Sequence, residues 1–291
     1  MSNMAQIRAK IASNRKTMKI TNAMQLVSTS RLGKTQSRML MTRPYTKIIK
    51  EIIGHIASSR SDYIHPFMKK SKTVSKCGFI IISTDRGLCG SLNSHLFKLV
   101  LAELSHLADN QVDQALCLFG NKAIQYFSKF SDKVVASSKS LGDHPSMIDV
   151  IGIAKWMIDA YRDGEIQKVY IASNNFESVM KQNATLTQLL PLPKNSLEEA
   201  GSGVYNYLYE PNSKKILDVL LQRYIETLVY QAVVENVASE HAARMIAMKN
   251  ATDNANQILE DLNLMYNKAR QASITLELAE IVAGAGDIEE K

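Results

Sequence analysis

ANQILEDLNLMYNKARQASITLELAEIVA, residues 255–283, is the stretch that decides the fold. Its small and apolar residues recur at alternating steps of three and four, the heptad pattern by which two α-helices pack along a coiled-coil seam. Alanine is frequent at these positions, so a partner helix is expected to approach closely. The predicted seam consists of Ala255, Ile258, Leu262, Met265, Ala269, Ala272, Leu276, Ala279 and Ala283.

The helix that carries this seam is predicted to be very long. No glycine occurs between Gly203 and Gly284, and all six prolines lie between Pro44 and Pro211. A segment so free of helix breakers predicts one helix over residues 213–291, preceded by the capping sequence Pro-Asn-Ser.

Residues 1–58 predict a second long helix. Its predicted seam consists of Met4, Ile7, Ile11, Met18, Ile20, Met24 and Val27. One helix enters the region between them and the other leaves it, so we expect the two to form an antiparallel coiled coil.

The region between the helices, residues 59–212, has the pattern of an α/β domain. Apolar runs at residues 77–83, 115–119, 168–174 and 185–190, and a short run near residues 133–137, predict strands. Helical patterns follow near residues 92–106, after Gly120, and near residues 148–161. Residues 176–181 fit a strand or a loop equally well. This alternation predicts a mostly parallel sheet covered on both faces.

Composition and charge exclude several classes of protein. The 291 residues contain no run of about 18 apolar residues that would span a bilayer, and the chain does not start like a secretory signal. Three cysteines without a Cys-x-x-Cys spacing predict buried, reduced thiols. The net charge of +7 is unevenly distributed: no acidic residue precedes Glu51, whereas the C-terminal segment is rich in acidic residues. The basic N-terminal helix suits an acidic partner.

One loop is a candidate for chemistry. Ser83-Thr-Asp-Arg-Gly-Leu-Cys-Gly90 follows a predicted strand and opens onto a helix, the place where α/β domains bind ligands. Gly87 and Gly90 would let a phosphate approach backbone N–H groups. The simpler interpretation, which we favour, is a tight turn in which the glycines serve the backbone and Asp85 caps the turn.

No other chemical signature is present. The sequence has no phosphate-binding Gly-x-x-x-x-Gly-Lys, no Gly-x-Ser-x-Gly and no His-Glu-x-x-His, and its six histidines lack metal-ligand spacing. We therefore expect no catalytic residue, no cofactor and no metal. Two alternatives stay open: a nucleotide-binding α/β protein with helical arms, and a basic coiled-coil adaptor for nucleic acid.

The end of the C-terminal helix predicts a binding partner. Apolar residues lie there on more than one face of the helix, namely Ile274, Leu276, Leu278, Ile281 and Val282. A lone helix with such an end would aggregate unless another protein surrounded it. The pattern therefore predicts a rod that is inserted into a protein sleeve.

Motifs along the whole chain resemble the gamma subunit family of the rotary ATP synthase. Near the N-terminus these are Ile7-Arg8 and Ala23-Met-Gln-Leu-Val-Ser-Thr-Ser-Arg31, and in the centre Ser83-Thr-Asp-Arg-Gly-Leu-Cys-Gly-Ser-Leu-Asn93. The most specific motifs are C-terminal: Glu235-Asn236, Ser239-Glu240, Ala243-Arg244, Tyr266-Asn-Lys268 and Arg270-Gln-Ala-Ser-Ile-Thr275.

The resemblance implies a fold, an activity and a set of partners. The fold would be a long antiparallel coiled coil of the N- and C-terminal helices plus a central, mostly parallel, Rossmann-like α/β domain. The chain would be a non-catalytic rotor shaft that couples proton flow to ATP synthesis at the beta subunits. Its partners would be the alpha, beta, epsilon and delta subunits and the membrane c-ring. It would bind neither nucleic acid nor a small-molecule substrate, and would associate indirectly with the cytoplasmic face of a bacterial inner membrane.

The same resemblance implies roles for individual residues. Contacts with the alpha and beta subunits are expected from Met24, Arg31, Lys34, Arg270, Gln271, Thr275 and Ile281. Contacts with the c-ring and epsilon are expected from Tyr205, Tyr207, Tyr209 and Glu210. Asp85, Gly87 and Gly90 are expected to form a structural turn.

Overall fold

The computed structural model describes residues 2–58, 65–69, 71, 73–139, 142, 145–192 and 213–289. The chain forms two compact units. The helical unit consists of Met1–Ser28 and Met245–Lys291, and the α/β unit consists of Thr29–Arg244. Helices α1 (Ser2–Ser58) and α5 (Ser213–Glu289) contribute to both units. The division of the chain into domains at residues 1–58, 59–212 and 213–291 stays a prediction.

The helical unit is an antiparallel pair of helices. The Thr21 and Thr252 hydroxyl oxygens lie 2.7 Å apart, and Arg8 Nη2 donates to the Tyr266 hydroxyl oxygen at 2.9 Å. The Arg8 guanidinium also lies over the Tyr266 ring, 5.6 Å from its centroid. Residue numbers rise along α1 as they fall along α5, so the predicted antiparallel pairing is confirmed within this unit.

The seam of this pair differs from the predicted one. Ile20 and Val27 are exposed, whereas their neighbours Thr21 and Ser28 are buried. The Thr21 hydroxyl lies 3.1 Å from the Met18 carbonyl oxygen of its own helix, so a small polar side chain can be buried with its hydrogen bond made. The predicted seam is therefore one residue off at these two positions. Its other members lie as predicted, with Ile11 buried and Met4, Ile7, Met18 and Met24 partly buried.

The predicted seam of α5 is right at three of the eight positions whose side chains the structure describes. Ala255 is buried, and Leu262 and Ala269 are partly buried, as expected. Ile258 and Met265 are exposed while Leu259 is buried and Tyr266 partly buried, a shift of one residue that arises because steps of three and four can be exchanged where apolar residues are adjacent. The remaining predicted residues Ala272, Leu276 and Ala279 are exposed.

The α/β unit is built on one five-stranded sheet. Its strands are β1 (Lys76–Ile82), β2 (Asp113–Phe119), β3 (Val134–Ser138), β4 (Lys168–Phe176) and β5 (Gln182–Leu190). Their order is β3-β2-β1-β4-β5, and all neighbours are parallel except β5, which pairs antiparallel with β4. The mostly parallel sheet is confirmed, and the undecided segment at residues 176–181 contains the end of β4 and a turn.

Helices cover both faces of the sheet. Helices α2 (Leu92–Asp109) and α3 (Asn121–Phe127) pack on one face, where Phe79 and Ile81 of β1 join the core. Helix α4 (Met147–Arg162) packs on the other face with parts of α1 and α5, where Ile80 and Ile82 join the core. The alternation of side chains along β1 thus serves two cores, which is why the strand is continuously apolar.

Candidate functional site

The exposed end of α5 is the first candidate site, and it belongs to the helical unit. We call residues Ile274–Val282 the apolar end of α5. Ile274, Leu278, Ile281 and Val282 lie on one helical stripe, and the last two are 67% and 70% exposed. Leu276, on another face, is also exposed. Such a continuous exposed stripe is typical of a surface that another protein covers.

Helix α1 does not extend along this end. The paired residues Arg8 with Tyr266 and Thr21 with Thr252 show the antiparallel register. In that register the first described side chain of α1, Met4, lies opposite about Arg270, since each step along α1 is matched by one step back along α5. No described residue of α1 therefore lies opposite the apolar end of α5.

The residues predicted to contact an alpha and beta ring lie in both units. Arg270, Gln271 and Thr275 are exposed on α5, and the Thr275 hydroxyl donates to the Gln271 carbonyl oxygen at 2.9 Å. In the helical unit Met24 is also partly exposed. In the α/β unit Arg31 is partly exposed and Lys34 is exposed. Tyr205, Tyr207, Tyr209 and Glu210 lie outside the described residues.

The loop after β1 is the second candidate site, and it belongs to the α/β unit. Asp85 Oδ1 accepts from the Asn121 N–H at 3.3 Å, and Asp85 Oδ2 accepts from the Gly142 N–H at 3.0 Å. The prediction that Asp85 caps its own turn stays a prediction. Through these two bonds its carboxylate joins the β1 loop to the start of α3 and to the loop after β3.

The amides at the start of α3 are occupied by the protein itself. The Asn121 N–H bonds to Asp85, the Lys122 N–H donates to the Thr84 carbonyl oxygen at 3.1 Å, and the Ala123 N–H donates to Ser83 Oγ at 2.8 Å. A phosphate at this helix terminus would need these same amides. The start of α3 is therefore closed to a phosphate, whereas the predicted phosphate site at Gly87 and Gly90 precedes α2 and stays a prediction.

Two glycines fit this crowded region for different reasons. Gly120 has φ +89°, and a Cβ atom there would lie 2.6 Å from the Ser83 carbonyl oxygen. Gly90 has φ +61°, in the left-handed region, with open space around it. Gly87 lies beside the Lys122 side chain. The positive φ of Gly90 suits a glycine in a turn, and Gly120 allows the loops after β1 and β2 to approach each other.

A row of polar side chains on α5 holds this loop. Asn236 Nδ2 donates to the Ser83 carbonyl oxygen at 3.1 Å, and the Ser239 hydroxyl lies 3.2 Å from the Asn174 carbonyl oxygen of β4. Arg244 Nε donates to the Gly87 carbonyl oxygen at 3.2 Å. We call Asn236, Ser239, Glu240 and Arg244 the polar strip of α5, and all four are buried.

Arg244 has the densest set of contacts in the polar strip. Its Nη2 donates to the carbonyl oxygens of Arg86 and Gly87 and forms an ion pair with Glu240. Cys89, in the same loop, is buried, and this burial raises the pKa of its thiol. The Arg244 charge lowers that pKa and the Glu240 charge raises it further. The thiol is thus kept protonated at neutral pH.

Sequence analysis found these residues only as motif members, without a role. The signal was available, because Asn236, Ser239, Glu240 and Arg244 recur on one face of a helix that is otherwise rich in apolar residues there. Polar residues at the spacing of a buried stripe indicate hydrogen bonds to a neighbouring element.

Other kinds of site are not found in the described part of the chain. No cluster of three or more His, Cys, Asp or Glu side chains there could hold a metal ion. Among the helices formed by these residues, none has the length and apolar character needed to cross a membrane.

Comparison with known proteins identifies the family. The family model described as ATP synthase matches residues 3–287. The ATP synthase gamma chain of Glaesserella parasuis is 53% identical over 291 residues, covering 99% of this chain and 100% of that protein. The gamma chain of Coxiella burnetii is 48% identical over 290 residues, with the same coverage.

Solved structures share the fold. A chain of the mitochondrial ATP synthase of Euglena gracilis, from a structure of its OSCP, F1 and c-ring, matches with a TM-score of 0.67 at 19% identity, covering 99% of this chain and 95% of that one. A chain of the central stalk and c-ring of the Tetrahymena thermophila enzyme matches with a TM-score of 0.58 at 23% identity, covering 80% and 99%. With the family model spanning nearly every residue and the curated relatives aligned from end to end, the chain belongs to the ATP synthase gamma chain family.

Proposed function

We propose that the chain is the rotor shaft that couples proton flow through a membrane sector to ATP synthesis and hydrolysis at catalytic beta subunits. Gamma chains are non-catalytic central-stalk subunits of ATP synthase. In this mechanism one orientation of the shaft stabilises one conformation of each nucleotide site, so rotation drives the sites in sequence.

The apolar end of α5 is the observation that carries this proposal. Its stripe of Ile274, Leu278, Ile281 and Val282 is exposed and is unmatched by any described residue of α1. Apolar contacts are non-directional, so a shaft end of this kind can turn in a surrounding sleeve without breaking specific bonds. A catalytic ring of alternating alpha and beta subunits is the sleeve we propose.

The partner contacts follow from the same proposal. Exposed Arg270, Gln271 and Thr275, together with Ile281, would meet the alpha and beta subunits around the apolar end. Met24, Arg31 and Lys34 would face the same ring, where the basic character of α1 suits an acidic surface. The Tyr205, Tyr207, Tyr209 and Glu210 cluster would meet the c-ring and epsilon. With delta completing the catalytic sector, the chain would act at the cytoplasmic face of a bacterial inner membrane.

The test is to remove the proposed shaft end. The chain is co-expressed with its companion alpha and beta subunits, either complete or lacking the residues from Asn267 onward. We expect the shortened chain to lose coupled ATPase activity, because the residues that would transmit rotation are gone. Unchanged assembly and unchanged coupled activity would contradict the proposal.

A substitution series separates the apolar stripe from helix length. Replacing Ile274, Leu278, Ile281 and Val282 by Gln keeps helix-forming residues but removes the apolar surface. The matched control replaces the exposed charged residues Lys268, Glu277 and Glu280 by Gln on the same segment. We expect the first variant, and not the control, to impair coupling.

The nucleotide-binding alternative has its own test. The loop of the proposed nucleotide site is held by side chains of α5 through the carbonyl oxygens of Ser83, Arg86 and Gly87, so we expect no stoichiometric nucleotide binding by the isolated chain. Titration with ATP and magnesium measures this directly, and clear binding near one equivalent would favour the alternative.

A further inference from the structure

We propose that the polar strip of α5 is a rotational lock, which fixes the angle of the helix about its own axis against the sheet of the α/β unit. The proposal rests on the proposed shaft function, in which torque must pass between α5 and the rest of its unit. Asn236, Ser239 and Arg244 are the positioning residues, and Glu240 orients Arg244.

The bonds of the strip reach two adjacent strands. Asn236 and Arg244 donate to carbonyl oxygens of the loop after β1, and Ser239 bonds to the carbonyl oxygen of Asn174 in β4. Strands β1 and β4 are neighbours in the sheet. Asn174 Nδ2 also donates to Asn236 Oδ1 at 2.8 Å, which ties the two sets of bonds together.

The acceptors are themselves rigidly held. Ser83 donates its own N–H to the Phe119 carbonyl oxygen at 2.9 Å, and Ser83 Oγ accepts from the Ala123 N–H. Asn174 lies within the β4–β5 ladder. Two of the strip's acceptors, the Ser83 and Asn174 carbonyl oxygens, are therefore main-chain atoms held at the sheet.

The geometry makes these bonds sensitive to rotation. A helix with its side chains has a radius of about 5 Å, so turning it by about 10° moves a side-chain end by about 1 Å. A hydrogen bond of 3.1–3.3 Å does not survive such a displacement. The apolar contacts of Leu221, Ile225 and Val229 on the same helix are non-directional and oppose rotation less.

Burial makes the bonds costly to break. Arg244 and Glu240 are both buried, and a buried charge that loses its partners is strongly disfavoured. Water cannot readily replace the carbonyl acceptors at such sites. A rotation that separated Arg244 from Arg86 and Gly87 would leave a buried guanidinium without those bonds.

The test measures torsional stiffness in the assembled complex. A particle is attached through a cysteine introduced by Met180→Cys at this exposed position in the turn between β4 and β5, while the catalytic subunits are stalled with a non-hydrolysable ATP analogue. The variants are Ser239→Ala and Arg244→Lys, which remove strip bonds with little change of volume or charge. The matched control is Val237→Ala, which removes buried apolar atoms of α5 and leaves the strip intact.

The expected result is a larger angular fluctuation of the particle in the strip variants. We expect the variance to rise about twofold for the double variant, because the bonds restrain one helix in parallel. Val237→Ala should leave the variance unchanged even where it lowers thermal stability. If Arg244→Lys prevents assembly, Ser239→Ala alone carries the test, with a smaller rise.

Equal variance in the strip variants and the Val237→Ala control would overturn the lock. That result is distinct from failure of the shaft function itself. If the stalled catalytic subunits did not restrain a particle on the unsubstituted chain, the proposed function would fail first.

Discussion

Helix α5 buries its apolar residues in one stretch and exposes them in another. In the α/β unit, α5 buries Leu221, Ile225 and Val229 against the sheet and bonds its polar strip to main-chain oxygens. In the helical unit, the apolar end of α5 leaves Ile281 and Val282 in solvent. The first stretch buries its apolar side chains within the chain, whereas the second would bury them only against a partner.

The difference separates residues that serve the fold from residues that serve assembly. Exposed apolar surface of this extent contributes nothing to the stability of the isolated chain. Substitutions in the two stretches should therefore affect different measurements.

The largest effect is expected from comparing the substitution of a buried leucine with that of an exposed leucine on the same helix. Leu221→Ala removes a fully buried side chain and should lower the free energy of unfolding by about 2–5 kcal/mol. Leu278→Ala changes an exposed side chain and should change it by less than about 0.5 kcal/mol. Urea unfolding followed by circular dichroism measures both. A large loss of stability from Leu278→Ala would show that this end of α5 is covered within the chain itself.

A glycine pair tests the crowded loop against an open helix surface. Gly120→Ala places a Cβ against the Ser83 carbonyl oxygen at a positive φ and should destabilise the α/β unit by about 1–3 kcal/mol. Gly33→Ala, in α1 with nothing near its Cβ position, should stabilise by about 0.5–1 kcal/mol. Thermal unfolding compares the two, and a neutral Gly120→Ala would mean that the loops after β1 and β2 can separate at little cost.

The smallest effect concerns pH at the start of the buried stretch of α5. His65 is buried, its Nδ1 accepts from the Phe67 N–H at 3.1 Å, and its Nε2 lies 3.2 Å from Asp218 Oδ1. Burial lowers the pKa of His65 below 6.5, an effect that Asp218 opposes and Arg162 reinforces. The unfolded chain therefore binds the proton more readily than the folded chain does, so stability falls as pH drops through about 6.5.

The size of this pH effect is limited to one proton. We expect the free energy of unfolding to fall by about 1 kcal/mol or less between about pH 7.5 and 5.5. A single titrating group changes this free energy by at most about 1.4 kcal/mol per pH unit. His65→Gln should flatten that part of the stability profile, whereas His95→Gln, on the exposed side of α2, should not. An identical slope in both variants would assign the pH dependence to other groups.

Local patterns predicted much of the fold. The strands and helices of the α/β unit lie where apolar runs and glycine turns placed them, because a doubly covered strand such as β1 must be apolar throughout. The seam of the helical unit was predicted less well. Thr21 and Ser28 occupy it, and a buried hydroxyl such as that of Thr21, which bonds to its own helix, leaves no apolar signal.

The candidate sites required contacts between distant parts of the sequence. Asp85 meets Asn121 and Gly142, and Arg244 meets Gly87, across separations that no local pattern encodes. The apolar end of α5 could be predicted, because its surplus of apolar residues is visible along one helix. The polar strip is also visible as polar residues on one face of a helix, but its partners could not be predicted, since they depend on which strand ends lie beside α5.

The burial of all three cysteines has a practical consequence for labelling. Cys77, Cys89 and Cys117 are buried, and burial raises the pKa of Cys77 to about 11 and that of Cys117 to about 12. The thiolate is the form that maleimides modify, so the native thiols should react slowly in the folded chain at neutral pH. A single cysteine introduced on the surface could then carry a fluorophore without prior removal of the native ones, leaving the packing beneath the β1 loop undisturbed.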